Sequence, residues 1–145
     1  MPSTFREATQ ADAAELAALH NAVAEDLTAR YGKGHWSCQG TERGVLYELK
    51  IGRVFVQTDA SAILGTFKLG TRKPWAIDVS YFTAVARPLY LQSMAVRPEL
   101  QRTGIGRELL EQATQVAKAW PVDAIRLDAY DADAGAGGFY AKCGV

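Results

Sequence analysis

The chain has 145 residues, with sixteen Lys plus Arg set against sixteen Asp plus Glu. The zero formal net charge argues against a global electrostatic pull toward nucleic acid or an anionic membrane, although a local patch can still hold a phosphorylated ligand. Cys38 and Cys143 stand outside any CxxC pair, His20 and His35 are too few for a zinc constellation, no apolar run approaches the ~18 residues of a membrane span, and MPSTFREAT is no signal peptide, so a reduced, soluble, cytoplasmic domain of ordinary size is expected.

The segment TFREAT reads as a short opening strand. Thr9 with Asp12, and Asp12 with Glu15, have the spacing of helix-capping pairs. Leu16, Leu19, Val23 and Leu27 then recur at three- and four-residue steps, which marks the apolar face of a helix over 11–30. YGKGHW breaks it. A shorter helix over 41–50 is expected, with Thr41 as its cap and Gly52 after its end. RVFVQ (53–57) and AILGTFKLG (62–70) read as a hairpin around the turn TDAS. Residues 71–88, bracketed by Pro74 and Pro88, give no clear element. LYLQSMAV (89–96) is an apolar strand suited to the middle of a sheet, with Leu89, Leu91, Ser93 and Ala95 on one face and Tyr90, Gln92, Met94 and Val96 on the other. A helix follows over 107–120, with Leu109, Leu110, Ala113, Val116 and Ala117 as its buried stripe. AIRLDAY (124–130) is a last strand, and 134–142 a short helix. The order implies a mixed α+β layered domain.

Gln101-Arg102-Thr103-Gly104-Ile105-Gly106 lies between the central strand and the strong helix. Glycine there accepts a backbone geometry, or a close ligand approach, that a side chain blocks. The first-turn N–H groups of the helix and the positive end of its dipole can bind phosphate oxygens, and Arg102 and Arg107 can add charge. A tight turn that packs the helix on its strand explains the two glycines equally well. The dinucleotide fingerprint G-x-G-x-x-G and the pattern G-x-x-x-x-G-K-[ST] are both absent.

Gln101, Gly104 and Gly106 also match a pattern of Gln or Arg, two variable residues, Gly, one variable residue, and Gly or Ala. This segment resembles the acetyl-CoA loop of the GNAT superfamily of N-acetyltransferases. A second block, Gly138-Phe139-Tyr140-Ala141-Lys142-Cys143-Gly144-Val145, resembles that family's FYxKxGF helix. The two are separated by the expected helix and strand. The resemblance implies the acyl-CoA N-acyltransferase fold: α/β/α layers around a mixed, mostly antiparallel sheet whose central strand pair splays apart. It implies acetyl-CoA as cofactor, with the pantetheine arm along Met94, Ala95 and Val96. The pyrophosphate would rest on the amides of Arg102, Thr103, Gly104, Ile105, Gly106 and Arg107, with Gln101 opening the loop. Asp133 stands where the family has an Asn that contacts the cofactor arm; an ionised carboxylate accepts but cannot donate there.

The implied chemistry is direct attack of a neutral amine on the thioester. Tyr140 matches the family's general-acid tyrosine; a packed aromatic with a satisfied hydroxyl is the other reading. For the base, Asp78, His35, Glu48, Asp128 and a water chain stay open, with Asp78 singled out by its apolar setting WAIDVSYF, which raises a buried carboxylate's pKa. The acceptor site would come from about 20–45 and 71–88. Tyr31, His35, Trp36, Glu42, Trp75, Asp78, Tyr81 and Phe82 there suit a small amine, and Trp75, Tyr81 and Phe82 otherwise serve packing or a homodimer surface. A small-molecule amine acceptor is therefore expected. A peptide N-terminus or lysine as acceptor, and a non-catalytic acyl-CoA sensor, are the alternatives. Relatives continue past the Val145 position with one or two strands, so residues 1–145 read as one acetyltransferase domain lacking its last C-terminal strand or strands.

Overall fold

A computed structural model describes residues 4–34, 37, 40–60, 62–70, 88–101, 103–119 and 124–126. In chain order these form β1 (Thr4–Glu7), α1 (Ala13–Tyr31), α2 (Glu42–Ile51), β2 (Arg53–Thr58), β3 (Ile63–Gly70), β4 (Pro88–Val96), α3 (Ile105–Lys118) and β5 (Ala124–Arg126). The strands make one sheet in the order β1-β2-β3-β4-β5. Neighbours run antiparallel except β4 and β5, which are parallel. This is the mixed, mostly antiparallel layered architecture expected, with α1 and α2 on one face and α3 on the other.

Local chemistry sets the helix ends. Thr41 Oγ1 accepts the Gly44 N–H at 3.0 Å, so α2 starts where its cap residue predicts and stops at Gly52. Ahead of α1, Asp12 Oδ2 accepts the Thr9 N–H at 2.8 Å. The second expected capping pair, Asp12 with Glu15, does not form. The Asp12 carboxylate is taken by Arg6 at 2.8 Å, and Glu15 Oε2 instead accepts the Ile63 N–H at 2.5 Å, tying α1 to β3.

The Arg6 guanidinium holds the Asp12 carboxyl at about 2, below its ordinary 3.8. A carboxylate depressed on folding adds stability that is complete above its unfolded value and is lost as pH falls through the folded one. We expect Asp12→Asn to lower the melting temperature by a constant increment above pH ~4 and by a shrinking one toward pH ~2. Thermal melts of both proteins from pH 7 downward check this; an increment independent of pH down to 2 contradicts it.

The core has two halves, one on each face of the sheet. Leu16 and Leu19 of α1, Val45 of α2, and Val54, Val56, Ile63 and Ala95 of the sheet fill one. Phe55, Phe67, Leu69, Leu91, Leu109 and Ala113 fill the other. In the second, Phe5, Phe55 and Phe67 stack with centroids 5.5, 5.8 and 5.3 Å apart. The apolar stripe of α3 falls as its spacing predicts: Leu109 and Ala113 are buried, with Leu110, Val116 and Ala117 beside them. The helix itself begins at Ile105 and ends at Lys118, two residues earlier at each end than the periodicity indicates.

Strand β4 corrects the expected alternation. Thr66 pairs with Ala95 and Lys68 with Gln92, so both Ser93 and Met94 fall opposite Phe67. Ser93 takes φ +54°, a left-handed value rare outside glycine. This is a β-bulge, and it inverts the side-chain phase. Leu91, Met94 and Val96 therefore share the α3 face, while Ala95 joins the α1/α2 face, opposite to Leu91 rather than beside it.

Helix α3 comes close to the sheet at Gly65. A Cβ there would lie 2.8 Å from Leu109 Cδ1 and 3.1 Å from the Ala95 carbonyl. Gly65→Ala must displace the Leu109 side-chain tip or the Ala95 carbonyl, and we expect a loss of ~1–3 kcal/mol in chemical denaturation. Wild-type stability in that variant would show that the Leu109 side chain repacks around the added methyl.

Candidate active site

The candidate site lies where β4 hands over to α3. Among the described residues, strand β5 pairs with β4 over Pro88–Tyr90. From Leu91 to Val96, the β4 edge away from β3 has no strand beside it among the described residues. Where a strand edge is not taken by another strand, its backbone N–H and C=O groups can pair with an extended ligand.

The loop after β4 is braced rather than loose. The Arg97 N–H donates to the Leu64 carbonyl at 3.0 Å, and Arg97 Nε donates to the Ile63 carbonyl at 2.6 Å. The same guanidinium reaches Glu15 at 3.3 Å, so α1, β3 and the end of β4 are clamped together. Residues Pro98–Leu100 form one 3-10 turn. Gln101 then spans two elements: its Oε1 accepts from Arg30 at 3.3 Å, and its Nε2 donates to the Val96 carbonyl at 3.4 Å. Thr103, exposed, folds back on the preceding turn, donating its N–H at 3.3 Å and its hydroxyl at 2.5 Å to the Leu100 carbonyl.

Gly104 sits at φ +96° as the N-cap of α3. Its requirement is conformational rather than steric, since nothing lies within 4 Å of the position a Cβ would occupy. The first intrahelical bond runs from the Glu108 N–H to the Gly104 carbonyl at 3.0 Å. The N–H groups of Ile105, Gly106 and Arg107 come before it and point out of the helix start, at the positive end of the dipole. Gly106 lies inside this first turn, and its φ is not in the left-handed region.

The structure thus brings together Met94, Ala95, Val96, Gln101, Thr103, Gly104, Ile105, Gly106 and Arg107 on one continuous segment. Tyr140, Asp78, Asp133, Arg102, His35 and Asp128 lie outside the described residues. Glu48, another candidate base, stands on α2 near His20. Burial holds the His20 imidazole below its ordinary range, and the Glu48 charge works against that shift. Sequence reasoning missed the bracing of the loop by Gln101 and Arg97, because both partners are distant in the chain. A groove of 710 Å³ lies elsewhere, between α2 and the β1–β2 edge, lined by Ala8, Thr9, Leu46, Tyr47, Leu49 and Val54 among others. It shares no residue with β4 or the glycine loop. Among the described residues, no helix is long and apolar enough to cross a membrane.

Residues 41–145 match the acetyltransferase (GNAT) family, a match that covers most of the chain. Several solved structures share the fold. A tetramutant of the BH1408 protein from Bacillus halodurans is 26% identical over 98% of this chain and 92% of its own, with a TM-score of 0.70. An N-acetyltransferase from Staphylococcus aureus Mu50 is 20% identical over 99% and 81%, with a TM-score of 0.71. An aminoglycoside acetyltransferase, HMB0005, from an uncultured soil metagenomic sample is 18% identical over 100% and 92%, with a TM-score of 0.68. A search of curated protein sequences returns no match. The chain belongs to the acetyltransferase (GNAT) family.

Proposed function

We propose that the protein is an N-acetyltransferase that moves the acetyl group of acetyl-CoA to the primary amine of a small or amino-acid-like acceptor. The observation that carries this reading is the junction itself: β4, which beyond Tyr90 has no strand on its outer side among the described residues, runs straight into a left-handed Gly104 and the first turn of α3. The space around Gly104 is open, which fits a bulky anion placed against backbone. Bound acetyl-CoA supplies the activated acetyl group as a thioester and a thiol leaving group.

The residues of the chain divide the work. Met94, Ala95 and Val96 offer backbone to the pantetheine arm. The amides of Gly104, Ile105, Gly106 and Arg107, with the charges of Arg102 and Arg107, hold the phosphates. Gln101 and Thr103 keep the loop in the shape that aims those amides. The family resemblance gives Asp133 a contact with the arm, as an acceptor only. Asp78 takes the proton that an ammonium acceptor must lose before attack, and Tyr140 returns a proton to the departing sulfur. The neutral overall charge is compatible with this site, because backbone dipoles and two arginines supply the local field.

The test is a thiol-release assay with acetyl-CoA and a panel of primary amines. Amine-dependent release of CoA, matched one to one by acetylated amine, is the expected outcome. Tight acetyl-CoA binding with no amine-dependent release would instead mark a non-catalytic acyl-CoA sensor.

A further inference from the structure

Gln57 is a polar residue buried on β2, at 5% exposure. Phe55, two residues before it on the same strand, lies in the core half under α3, and Gln57 faces the same way. Its Nε2 donates to Glu108 Oε2 at 2.5 Å. Glu108 is the acidic residue of the first turn of α3 and is itself exposed. A buried neutral amide on the sheet thus holds an exposed carboxylate at the helix start.

The strand register shows to which side that carboxylate is drawn. Gln57 pairs with Gly65 on β3, and Gly65 pairs with Val96 on β4. The start of α3 lies over the middle of this row, since a Cβ on Gly65 would lie 2.8 Å from Leu109 Cδ1 and 3.4 Å from Ile105 Cγ2. Gln57 stands two strands, ~10 Å, from β4. Its bond therefore keeps the Glu108 carboxylate on the β2 flank of α3, while the β4 edge given to the thioester arm lies on the other flank.

That placement matters for charge. Glu108 follows Ile105 by three residues, ~4.5 Å along the helix axis. Side chains of a helix lean toward its N-terminus, so a Glu108 side chain with no tie to the sheet reaches back toward the Ile105–Arg107 amides. A carboxylate there competes with phosphate for the positive end of the dipole and repels it. An amide holds the carboxylate without adding a charge of its own. We infer that Gln57 is a positioning residue of the cofactor site: it draws the Glu108 carboxylate toward β2 and so reserves the start of α3 for the phosphates of acetyl-CoA. This inference rests on the acetyl-CoA reading for the identity of the anion, and on the Gln57–Glu108 bond and the sheet register for the positioning.

The test is calorimetry of acetyl-CoA binding at low salt and in ~1 M salt, where charges are screened beyond ~3 Å. Wild type is compared with Gln57→Leu, Glu108→Gln and the double variant. Gln57→Leu should weaken binding about fivefold at low salt, the order of one like-charge pair near a protein surface. In high salt its deficit against wild type should shrink below about twofold. Glu108→Gln removes the charge, so it should bind at least as tightly as wild type, and the double variant should regain wild-type affinity. Glu108→Asp, an exposed substitution, keeps the charge but shortens its reach toward Gln57. It should repeat the Gln57→Leu loss, and it takes the place of that variant if Gln57→Leu does not fold. A tie that only joins β2 to α3 predicts a loss that persists in high salt and in the double variant. That result, or wild-type affinity in Gln57→Leu and Glu108→Asp, overturns the inference and leaves the acetyl-CoA reading standing. Wild-type protein that binds no acetyl-CoA overturns both.

Discussion

Replacing Tyr140 with Phe should lower amine-dependent CoA release at least about tenfold at saturating acetyl-CoA, with cofactor affinity unchanged; positioned proton transfer commonly contributes about 10²–10⁴-fold. The substitution removes one oxygen and keeps the ring, so packing and binding stay while the proton donor goes. The proton is needed late, when the thiol leaves. The loss should therefore shrink when the leaving thiol is made more acidic, because a better leaving group needs less protonation. Steady-state rates with acetyl-CoA and with an activated thioester separate the two situations. Unchanged turnover in Tyr140→Phe would assign the phenol to packing.

Gly104→Val should weaken acetyl-CoA binding at least about tenfold, roughly one charge-assisted contact, without unfolding the protein. Gly104 holds φ +96° in open space. Valine meets no clash there, but its Cβ disfavours that conformation by about 1–3 kcal/mol. The backbone relieves the strain by rotating toward negative φ, which turns the N–H groups of Ile105 and Gly106 away from the phosphates. Gly104→Asn is the informative companion, since asparagine tolerates the left-handed region better than other side chains. It should retain more affinity than valine does. Circular dichroism checks the fold, and calorimetry with acetyl-CoA checks the site. Wild-type affinity in Gly104→Val would remove the loop from phosphate binding.

Features carried by neighbours in sequence were legible in the chain. Thr41, Gly52 and the Leu109–Ala113 stripe marked their helices because capping, glycine termination and 3.6-residue periodicity are local effects. The glycine loop was legible for the same reason: its glycines sit at the helix start whose geometry needs one of them. The strand faces of β4 were not. The two-residue period holds only without a bulge, and a serine at φ +54° gives no signal of the kind an Asn or Gly would. The partners of Gln101 were equally hidden, because Arg30 lies 71 positions away in the chain. Lys68 shows the limit most clearly. A lysine in an otherwise apolar strand reads as a solvent-facing position, and only the placement of β3 in the middle of the sheet, under α1 and α2, leaves the residue as little as 7% exposed. Tyr140, Asp78 and Asp133 entered through motif resemblance and local setting alone.

The central claim is that the β4–α3 junction holds acetyl-CoA. Amide NMR of the labelled protein titrated with acetyl-CoA tests it most directly. The account predicts that the N–H resonances of Gly104, Ile105, Gly106 and Arg107 move most, together with those of Met94–Val96, while the amides of α2 stay in place. Saturable binding that leaves the Gly104–Arg107 amides unmoved, or no binding at all, would contradict it.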